Sequence, residues 1–209
     1  AMDRVTRTLT ILGATGSVGQ STLDLVERDR EGFDVLALTA RRDVAGLAAA
    51  AKRVRARRAV IADEALFGAL KDAVAGTSIE AAAGPEAVVE AAGAGADWTM
   101  AAIVGCAGLR PVMAALRQGK TVALANKEAL VSAGEVMTKA ASESGATLLP
   151  VDSEHNAVFQ CFDRSQPETV RRIILTASGG PFRRRSLEEM RAVTPAEAVA
   201  PPNWSIRPP

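Results

Sequence analysis

Three groups of residues in this sequence have the types and spacing that chemistry requires. They are the glycines of residues 13–19, the polar residues 126–128, and the acidic pair Asp152 and Glu154. Glycines let backbone N–H groups approach a phosphate, whereas neighbouring carboxylates are oxygen ligands of the kind that Mg²⁺ or Mn²⁺ prefers. Each group can act only if the elements around it bring it to a shared surface.

The glycine segment lies between an apolar run and a helical pattern. Residues 9–12 are typical of a buried strand, and residues 17–28 carry apolar side chains at helix spacing. A G-x-x-G-x-x-G run in that position predicts a turn that binds a diphosphate, with Thr15 or Ser17 capping the helix. The alternative is a glycine-rich hairpin or an ordinary helix start.

Two arginines follow the second predicted strand, at the point where dinucleotide-binding sheets contact the adenosine ribose. An acidic residue there would favour NAD, but Arg41 and Arg42 precede Asp43. Guanidinium groups bind a 2′-phosphate well, so the sequence favours NADPH over NADH. A solvated group of charges is the alternative.

The later polar residues also follow predicted strands. Asp152 and Glu154 come after residues 147–151, and two hard oxygen ligands one residue apart suit a divalent cation. A D-x-E sequence by itself is more often a solvated turn. Ser178 begins a Ser-Gly-Gly turn that either binds phosphate or only reverses the chain.

Apolar runs and helical patterns alternate along residues 9–151, which predicts repeated βα units and a doubly wound parallel sheet. The strands are predicted at residues 9–12, 35–39, 59–62, 99–104, 121–125 and 147–151. The helices are predicted at residues 17–28, 44–53, 64–74, 86–92, 111–117 and 128–144. Because ligands gather at the carboxyl ends of such strands, we expect the three groups at one edge of the sheet.

The pattern changes after residue 151. A short segment at residues 155–162 precedes a strand predicted at residues 172–177, and the proline-rich tail from residue 194 shows no helix or strand. We therefore expect a nucleotide-binding domain at residues 1–150. Residues 151–209 are expected to be an incomplete catalytic and metal-binding domain, the start of an α+β unit.

Composition excludes several other classes of protein. The formal net charge of +1 gives no general attraction to nucleic acid or to acidic membranes, and no apolar run is long enough for a membrane span. The two cysteines, far apart in the sequence, are typical of reduced thiols rather than of a disulfide framework. These features predict a soluble cytoplasmic protein.

Taken together, the motifs resemble those of the 1-deoxy-D-xylulose 5-phosphate reductoisomerase family. The similarity extends over residues 7–205. The most specific segments are the glycine turn, the Asn-Lys-Glu of residues 126–128, the Pro-Val-Asp-Ser-Glu-His-Asn of residues 150–156, and the Ser-Gly-Gly-Pro-Phe of residues 178–182.

The resemblance implies a Rossmann-like NADP-binding domain and a role for each candidate residue. The implied NADPH contacts are Thr15, Gly16, Ser17, Val18, Arg41, Arg42, Asp43, Asn126 and Glu128. The implied catalytic residues are Lys127, Asp152 and Glu154, of which the two acids bind Mg²⁺ or Mn²⁺. Lys127, Ser153 and Ser178 are expected to contact a sugar phosphate substrate, and a homodimer is expected for the full-length protein.

The sequence departs from the family pattern at a few points. Pro201 stands where a substrate-contacting histidine is usual, and Arg41 stands where glycine is usual. The chain ends before the segment that would supply a third carboxylate, so we expect little or no turnover from it alone. A non-catalytic NADP-binding module and a metal-free NADP-dependent dehydrogenase fragment remain alternatives.

Overall fold

A computed structural model describes residues 6–176 and 180–199. The described residues form two compact units, divided between Asn156 and Ala157. The predicted division at residues 150 and 151 stays a prediction. No helix in the described ranges is both long enough and apolar enough to cross a bilayer.

The first unit is built on a seven-stranded sheet in which every pair of neighbouring strands is parallel. The strands are β1 Arg7–Leu12, β2 Phe33–Ala40, β3 Arg58–Ile61, β4 Glu80–Ala83, β5 Trp98–Ala101, β6 Thr121–Leu124 and β7 Thr147–Pro150. Their order in the sheet is β4-β3-β2-β1-β5-β6-β7. The order reverses between β1 and β5, which is where ligands bind in sheets of this kind.

Helices connect the strands. They are α1 Ser17–Arg28, α2 Val44–Val54, α3 Phe67–Ala73, α4 Pro85–Ala92, α5 Leu109–Leu116 and α6 Lys127–Ser144. Helix α7, Ser153–Cys161, follows the last strand, and α8, Pro195–Ala198, lies in the second unit. The doubly wound, Rossmann-like sheet that the sequence predicted is confirmed.

The core of the first unit covers both faces of the sheet because alternate strand residues point opposite ways. On β3, Ala59 and Ile61 pack in the cluster that contains Leu23 of α1 and Leu47 of α2. Val60 between them packs with residues of α4 instead. Burial on both faces explains why the strands are apolar throughout.

The sequence predictions about strands differ from the structure at two places. The edge strand β4 was not predicted, because three of its four residues are alanine, which has low strand propensity. Residues 172–176 form no strand in the described part of the second unit, although Ile173, Ile174 and Leu175 are apolar. A strand needs a hydrogen-bonded neighbour, which sequence pattern alone cannot supply.

The proline-rich tail contains a helix that was not predicted. Thr194 accepts a hydrogen bond from the backbone of Glu197, whose side chain bonds back to the Thr194 backbone, and Pro195 occupies the first turn. This is a capping box, and its signature was present in the sequence.

Candidate functional site

The glycine turn after β1 is held between two neighbouring strands. The backbone N–H of Gly13 donates to the Thr39 hydroxyl at 3.0 Å, and that of Ala14 donates to the Thr39 carbonyl at 2.7 Å. Gly13 has a φ of +81°, and a Cβ there would lie 2.8 Å from the carbonyl oxygen of Ala102. Only glycine fits this position, because any side chain would collide with the chain just beyond β5.

The first turn of α1 has no side chain bonded to its backbone N–H groups. Gly16 is the N-cap residue and no side chain caps this helix in the described chain, so the expected cap from Thr15 or Ser17 is wrong. The third glycine, Gly19, is buried where a Cβ would lie 2.3 Å from the Gly13 carbonyl oxygen. The helix therefore starts tight against the turn with its first N–H groups uncapped by side chains, which suits an anion.

A cleft of about 510 Å³ opens beside this turn. It is lined by residues that follow the carboxyl ends of β1, β2, β3 and β5 and by the first turns of α4 and α5. Of the candidate residues that the structure describes, Thr15, Gly16 and Arg41 line it. The cleft spans the reversal point of the sheet, where the sequence predicted a nucleotide.

The helices that begin at the cleft share one feature. Gly16, Gly84 and Gly108 are the N-cap residues of α1, α4 and α5, and none of these three helices has a side-chain cap. By contrast, the side chains of Asp43 and Asn126 cap α2 and α6. Helix starts without a side-chain cap thus occur where a ligand would lie.

The three residues after β2 differ in their contacts within the fold. Arg41 is exposed and lines the cleft. Arg42 forms an ion pair of 3.1 Å with Asp63, and Asp43 accepts the backbone N–H of Gly46 at 2.8 Å as the cap of α2. The predicted nucleotide contacts of Arg42 and Asp43 stay predictions, and both side chains already have a partner.

Asn126 is a buried residue at the start of α6. It is 3% exposed, its amide nitrogen donates to the Gly105 carbonyl at 2.8 Å, and its oxygen accepts the N–H of Ala129 at 3.2 Å. The side chain therefore ties the loop after β5 to α6. Lys127 and Glu128, which follow it, are exposed.

The acidic pair lies where β7 passes into α7. The Oδ1 atom of Asp152 accepts the backbone N–H of His155 at 3.1 Å and lies 2.6 Å from the Nδ1 atom of the same residue. Burial raises the pKa of Asp152, but the contacts with His155 and the charge of Lys127 outweigh it, so this pKa lies below its usual value. Asp152 is thus a carboxylate at neutral pH, with the Lys127 charge acting on it.

The carboxylates at the start of α7 are of the type that binds a divalent cation, but two such residues are fewer than a metal site usually has. Asp152 and Glu154 offer hard carboxylate oxygens. Within residues 6–176 and 180–199 there is no group of three or more His, Cys, Asp or Glu residues that could hold a metal ion. Ser153 begins α7 and is exposed, whereas Ser178 lies outside the described residues.

The sequence analysis missed one charged residue of the cleft and its ion-pair partner. Arg110 lines the cleft at the start of α5, and its guanidinium makes two hydrogen bonds, of 2.7 and 2.9 Å, to the carboxylate of Glu86 on α4. The hydrogen bonds and the charge of each partner lower the pKa of Glu86 and raise that of Arg110. The residues are 24 positions apart, so no local signal predicted the pair.

The sequence matches two parts of one known family. Residues 9–134 match the description "1-deoxy-D-xylulose 5-phosphate reductoisomerase", and residues 148–208 match the C-terminal domain of the same enzyme. The chain belongs to the 1-deoxy-D-xylulose 5-phosphate reductoisomerase family. The first match covers the glycine turn, the cleft and the start of α6, and the second covers Asp152 and Glu154.

Individual relatives of the family are similar over nearly the whole chain. The reductoisomerase of Zymomonas mobilis is 66% identical over 200 residues, which are 96% of this chain and 52% of the relative. That of Rhodospirillum centenum is 58% identical, over 96% of this chain and 50% of the relative. The chain spans about half the length of the curated relatives that it matches.

Solved reductoisomerase structures have the same fold. A structure from Zymomonas mobilis in complex with NADPH has a TM-score of 0.87 and 65% identity, over 93% of this chain and 52% of that one. Another, in complex with NADPH, fosmidomycin and magnesium, has a TM-score of 0.80 and 38% identity, over 96% of this chain and 52% of that one. The agreement includes the sheet that carries both the cleft and the acidic pair.

Proposed function

We propose that this chain supplies the NADPH-binding part, and some of the catalytic residues, of an enzyme that converts 1-deoxy-D-xylulose 5-phosphate to 2-C-methyl-D-erythritol 4-phosphate. Such an enzyme is both an oxidoreductase and an isomerase, and it belongs to isoprenoid precursor biosynthesis. The observation that carries the proposal is the cleft at the reversal point of the sheet, which opens beside an uncapped helix start and Arg41. Membership of the family and the NADPH complex of a 65% identical relative support it.

In this proposal the backbone of the glycine turn holds the NADPH diphosphate. The residues that line the diphosphate at the positive end of α1 are Thr15, Gly16, Ser17 and Val18, and Thr15 and Ser17 add hydroxyls. Arg41 pairs with the 2′-phosphate, and Arg42 and Asp43 contact the same part of the nucleotide from the start of α2. NADPH, when bound, supplies the hydride.

The proposed catalytic residues lie after β6 and β7. Asn126 and Glu128 border the nicotinamide, and Lys127 orients the substrate hydroxyls together with Ser153 and Ser178. Asp152 and Glu154 supply two of the oxygen donors for Mg²⁺ or Mn²⁺, and the remaining donors come from outside the described residues. A divalent cation, when bound, polarises the carbonyl and neighbouring hydroxyl oxygens of the substrate.

Further parts of the proposal concern organisation. Residues 1–150 act as the nucleotide-binding domain, and residues 151–209 contribute to a catalytic and metal-binding domain. The full-length protein is a cytoplasmic homodimer whose partner molecules are small sugar phosphates, rather than nucleic acid or membrane. Sedimentation of a polypeptide of the relatives' length would test the dimer.

A thermal melt of this chain with different ligands tests the nucleotide assignment. NADPH at about 100 times its Kd stabilises a single site by roughly 2.7 kcal/mol, which raises Tm by several degrees in a domain of this size. NADH should give a smaller shift at the same concentration, because it lacks the phosphate for Arg41. Mn²⁺ alone should give little shift. The absence of any shift with saturating NADPH would refute the assignment.

A further inference from the structure

Part of the cleft wall is apolar and suits a flat ring rather than a phosphate. Ala62 after β3, Pro85, Val88 and Val89 of α4, and Ala107 before α5 line it. None of these side chains carries a hydrogen-bonding group. A planar, weakly polar part of a ligand would bury its faces against them.

Arg110 lines the same cleft, and two hydrogen bonds orient its guanidinium. Its Nη1 and Nη2 atoms donate to the two carboxylate oxygens of Glu86 at 2.7 and 2.9 Å, which is a bidentate arrangement. The pair joins the first turn of α4 to the first turn of α5. Two parallel hydrogen bonds define the plane of the guanidinium as well as its position.

Arg110 and Arg41 differ in whether an acidic side chain neutralises them. The carboxylate of Glu86 neutralises Arg110, whereas Arg41 has no ion-pair partner within 4.0 Å among the described residues. A ligand phosphate would therefore be attracted to Arg41 more strongly than to Arg110. What Arg110 offers is a planar group oriented by its bidentate contact with Glu86, and guanidinium planes stack on nucleobases.

We infer that the Glu86–Arg110 pair holds the guanidinium against the adenine ring of the bound dinucleotide and sets the affinity for its adenosine half. The inference rests on the proposed function, since it assumes that the cleft binds NADPH. It assigns to Arg110 a contact with the base and to Glu86 the positioning of that contact. Discrimination between NADPH and NADH stays with Arg41.

Binding of NADPH and NADH to this chain and to four variants, measured by calorimetry, tests the pair. Arg110→Leu removes the planar group, and Arg110→Lys keeps the charge but loses the plane and one of the two hydrogen bonds. Glu86→Gln keeps the shape of the positioning residue without its charge. Arg117→Leu, at the other end of α5, is the control for losing one exposed arginine from that helix.

We expect Arg110→Leu to weaken NADPH and NADH alike, by about tenfold, which is the usual effect of losing one stacking contact on a base. Arg110→Lys should not restore the affinity, Glu86→Gln should weaken both ligands by a smaller factor, and Arg117→Leu should bind like the unchanged chain. A loss with NADPH alone that lysine restores would mean a phosphate contact and would overturn the inference.

Failure of the inference can be told apart from failure of the proposed function. If the unchanged chain does not bind NADPH, the proposed function fails first. If the unchanged chain binds NADPH and both Arg110→Leu and Glu86→Gln bind it equally well, only the inference fails. Circular dichroism of each variant establishes that a loss of binding is not a loss of fold.

Discussion

Two corners of the same sheet are built in opposite ways. At the glycine corner, formed by the turn after β1 and the starts of α4 and α5, the N-cap residues are glycines and no side chain caps the helices in the described chain. At the acidic corner, formed by the starts of α6 and α7, the side chains of Asn126 and Asp152 accept helix N–H groups.

The difference separates two ways of holding a ligand. Helix N–H groups without a side-chain cap can bind an anion through the backbone, so the glycine corner is suited to a diphosphate. At the acidic corner one N–H group of each helix is already bonded to a capping side chain, and we expect contacts to a ligand to come from side chains such as Lys127 and Glu154. Changes at the two corners should therefore affect different measurements.

The largest expected effect is at the acidic corner. In a polypeptide of the relatives' length, Asp152→Asn should abolish turnover while the Kd for NADPH changes by less than about twofold, because asparagine caps a helix as well as aspartate but is a poor ligand for a hard cation. Steady-state kinetics and nucleotide titration measure both effects. The control is Asp72→Asn, on the exposed surface of α3, which should keep full turnover. Turnover retained by Asp152→Asn would remove its proposed metal-binding role.

At the glycine corner, the expected effect is on folding as well as on binding. Gly13→Ala should lower the free energy of unfolding by about 3 kcal/mol, since the new Cβ would meet the Ala102 carbonyl oxygen at 2.8 Å with φ at +81°. Denaturant unfolding measures this, and NADPH binding should also weaken.

The matched control for Gly13 is Gly68, in α3. A Cβ at Gly68 would have no described heavy atom within 4 Å, so Gly68→Ala should stabilise the chain by up to about 1 kcal/mol through helix propensity. Equal effects of the two substitutions would show that the close approach at Gly13 does not constrain the turn.

Features that depend on adjacent residues were predicted from the sequence better than features that depend on residues far apart in it. The strand, glycine turn and helix of residues 9–28 were predicted to within a few residues, because each signal is local. The expectation of a hydroxyl cap on α1 was wrong, since capping depends on how the turn packs against Thr39 and Ala102. The Glu86–Arg110 pair could not be predicted, because it depends on which helices become neighbours.

The residues after β2 teach the same lesson. From sequence, Arg41, Arg42 and Asp43 were all expected to contact the nucleotide, although Arg41 stands where glycine is usual in the family. The fold pairs Arg42 with Asp63 and uses Asp43 as a helix cap, so Arg41 is the one of the three that lines the cleft. The residue types indicated the right region of the fold. Which of the three lines the cleft and which have partners in the fold became clear only from the tertiary structure.

The amino-terminal ends of β1 and β5, away from the cleft, carry side-chain contacts that involve no candidate ligand residue. There Asp97 accepts the backbone N–H and the hydroxyl of Thr8 at 3.1 and 2.9 Å, and the Lys120 ammonium at 3.1 Å. These contacts, led by the Thr8 backbone bond, lower the pKa of Asp97 to about 2. A carboxyl with a lowered pKa in the folded state contributes stability above its unfolded pKa of about 3.9 and loses it as pH falls towards 2.

The pH dependence of unfolding tests this contribution. The free energy of unfolding of the unchanged chain should exceed that of Asp97→Asn near pH 6, and the gap should narrow between about pH 4 and pH 2. Asp72→Asn serves again as the control and should track the unchanged chain. NADPH affinity at neutral pH should be the same in all three, since Asp97 lies at the amino-terminal end of β5 and the cleft lies at the carboxyl ends of the strands. A gap that stays constant with pH would contradict the role of the carboxylate charge.

The smallest expected effect concerns two threonines on β1, the strand that leads into the glycine turn. The Thr10 hydroxyl is fully buried and has no hydrogen-bond partner in the described part of the chain, whereas the Thr8 hydroxyl bonds to Asp97. Thr10→Val should therefore raise the free energy of unfolding by about 1 kcal/mol, and Thr8→Val should lower it by about the same amount. Denaturant unfolding of both variants measures the difference. NADPH should bind both as it binds the unchanged chain, because the proposed diphosphate contacts are backbone N–H groups that neither threonine contacts. A loss of NADPH affinity in Thr10→Val would show instead that the buried hydroxyl helps to position the glycine corner.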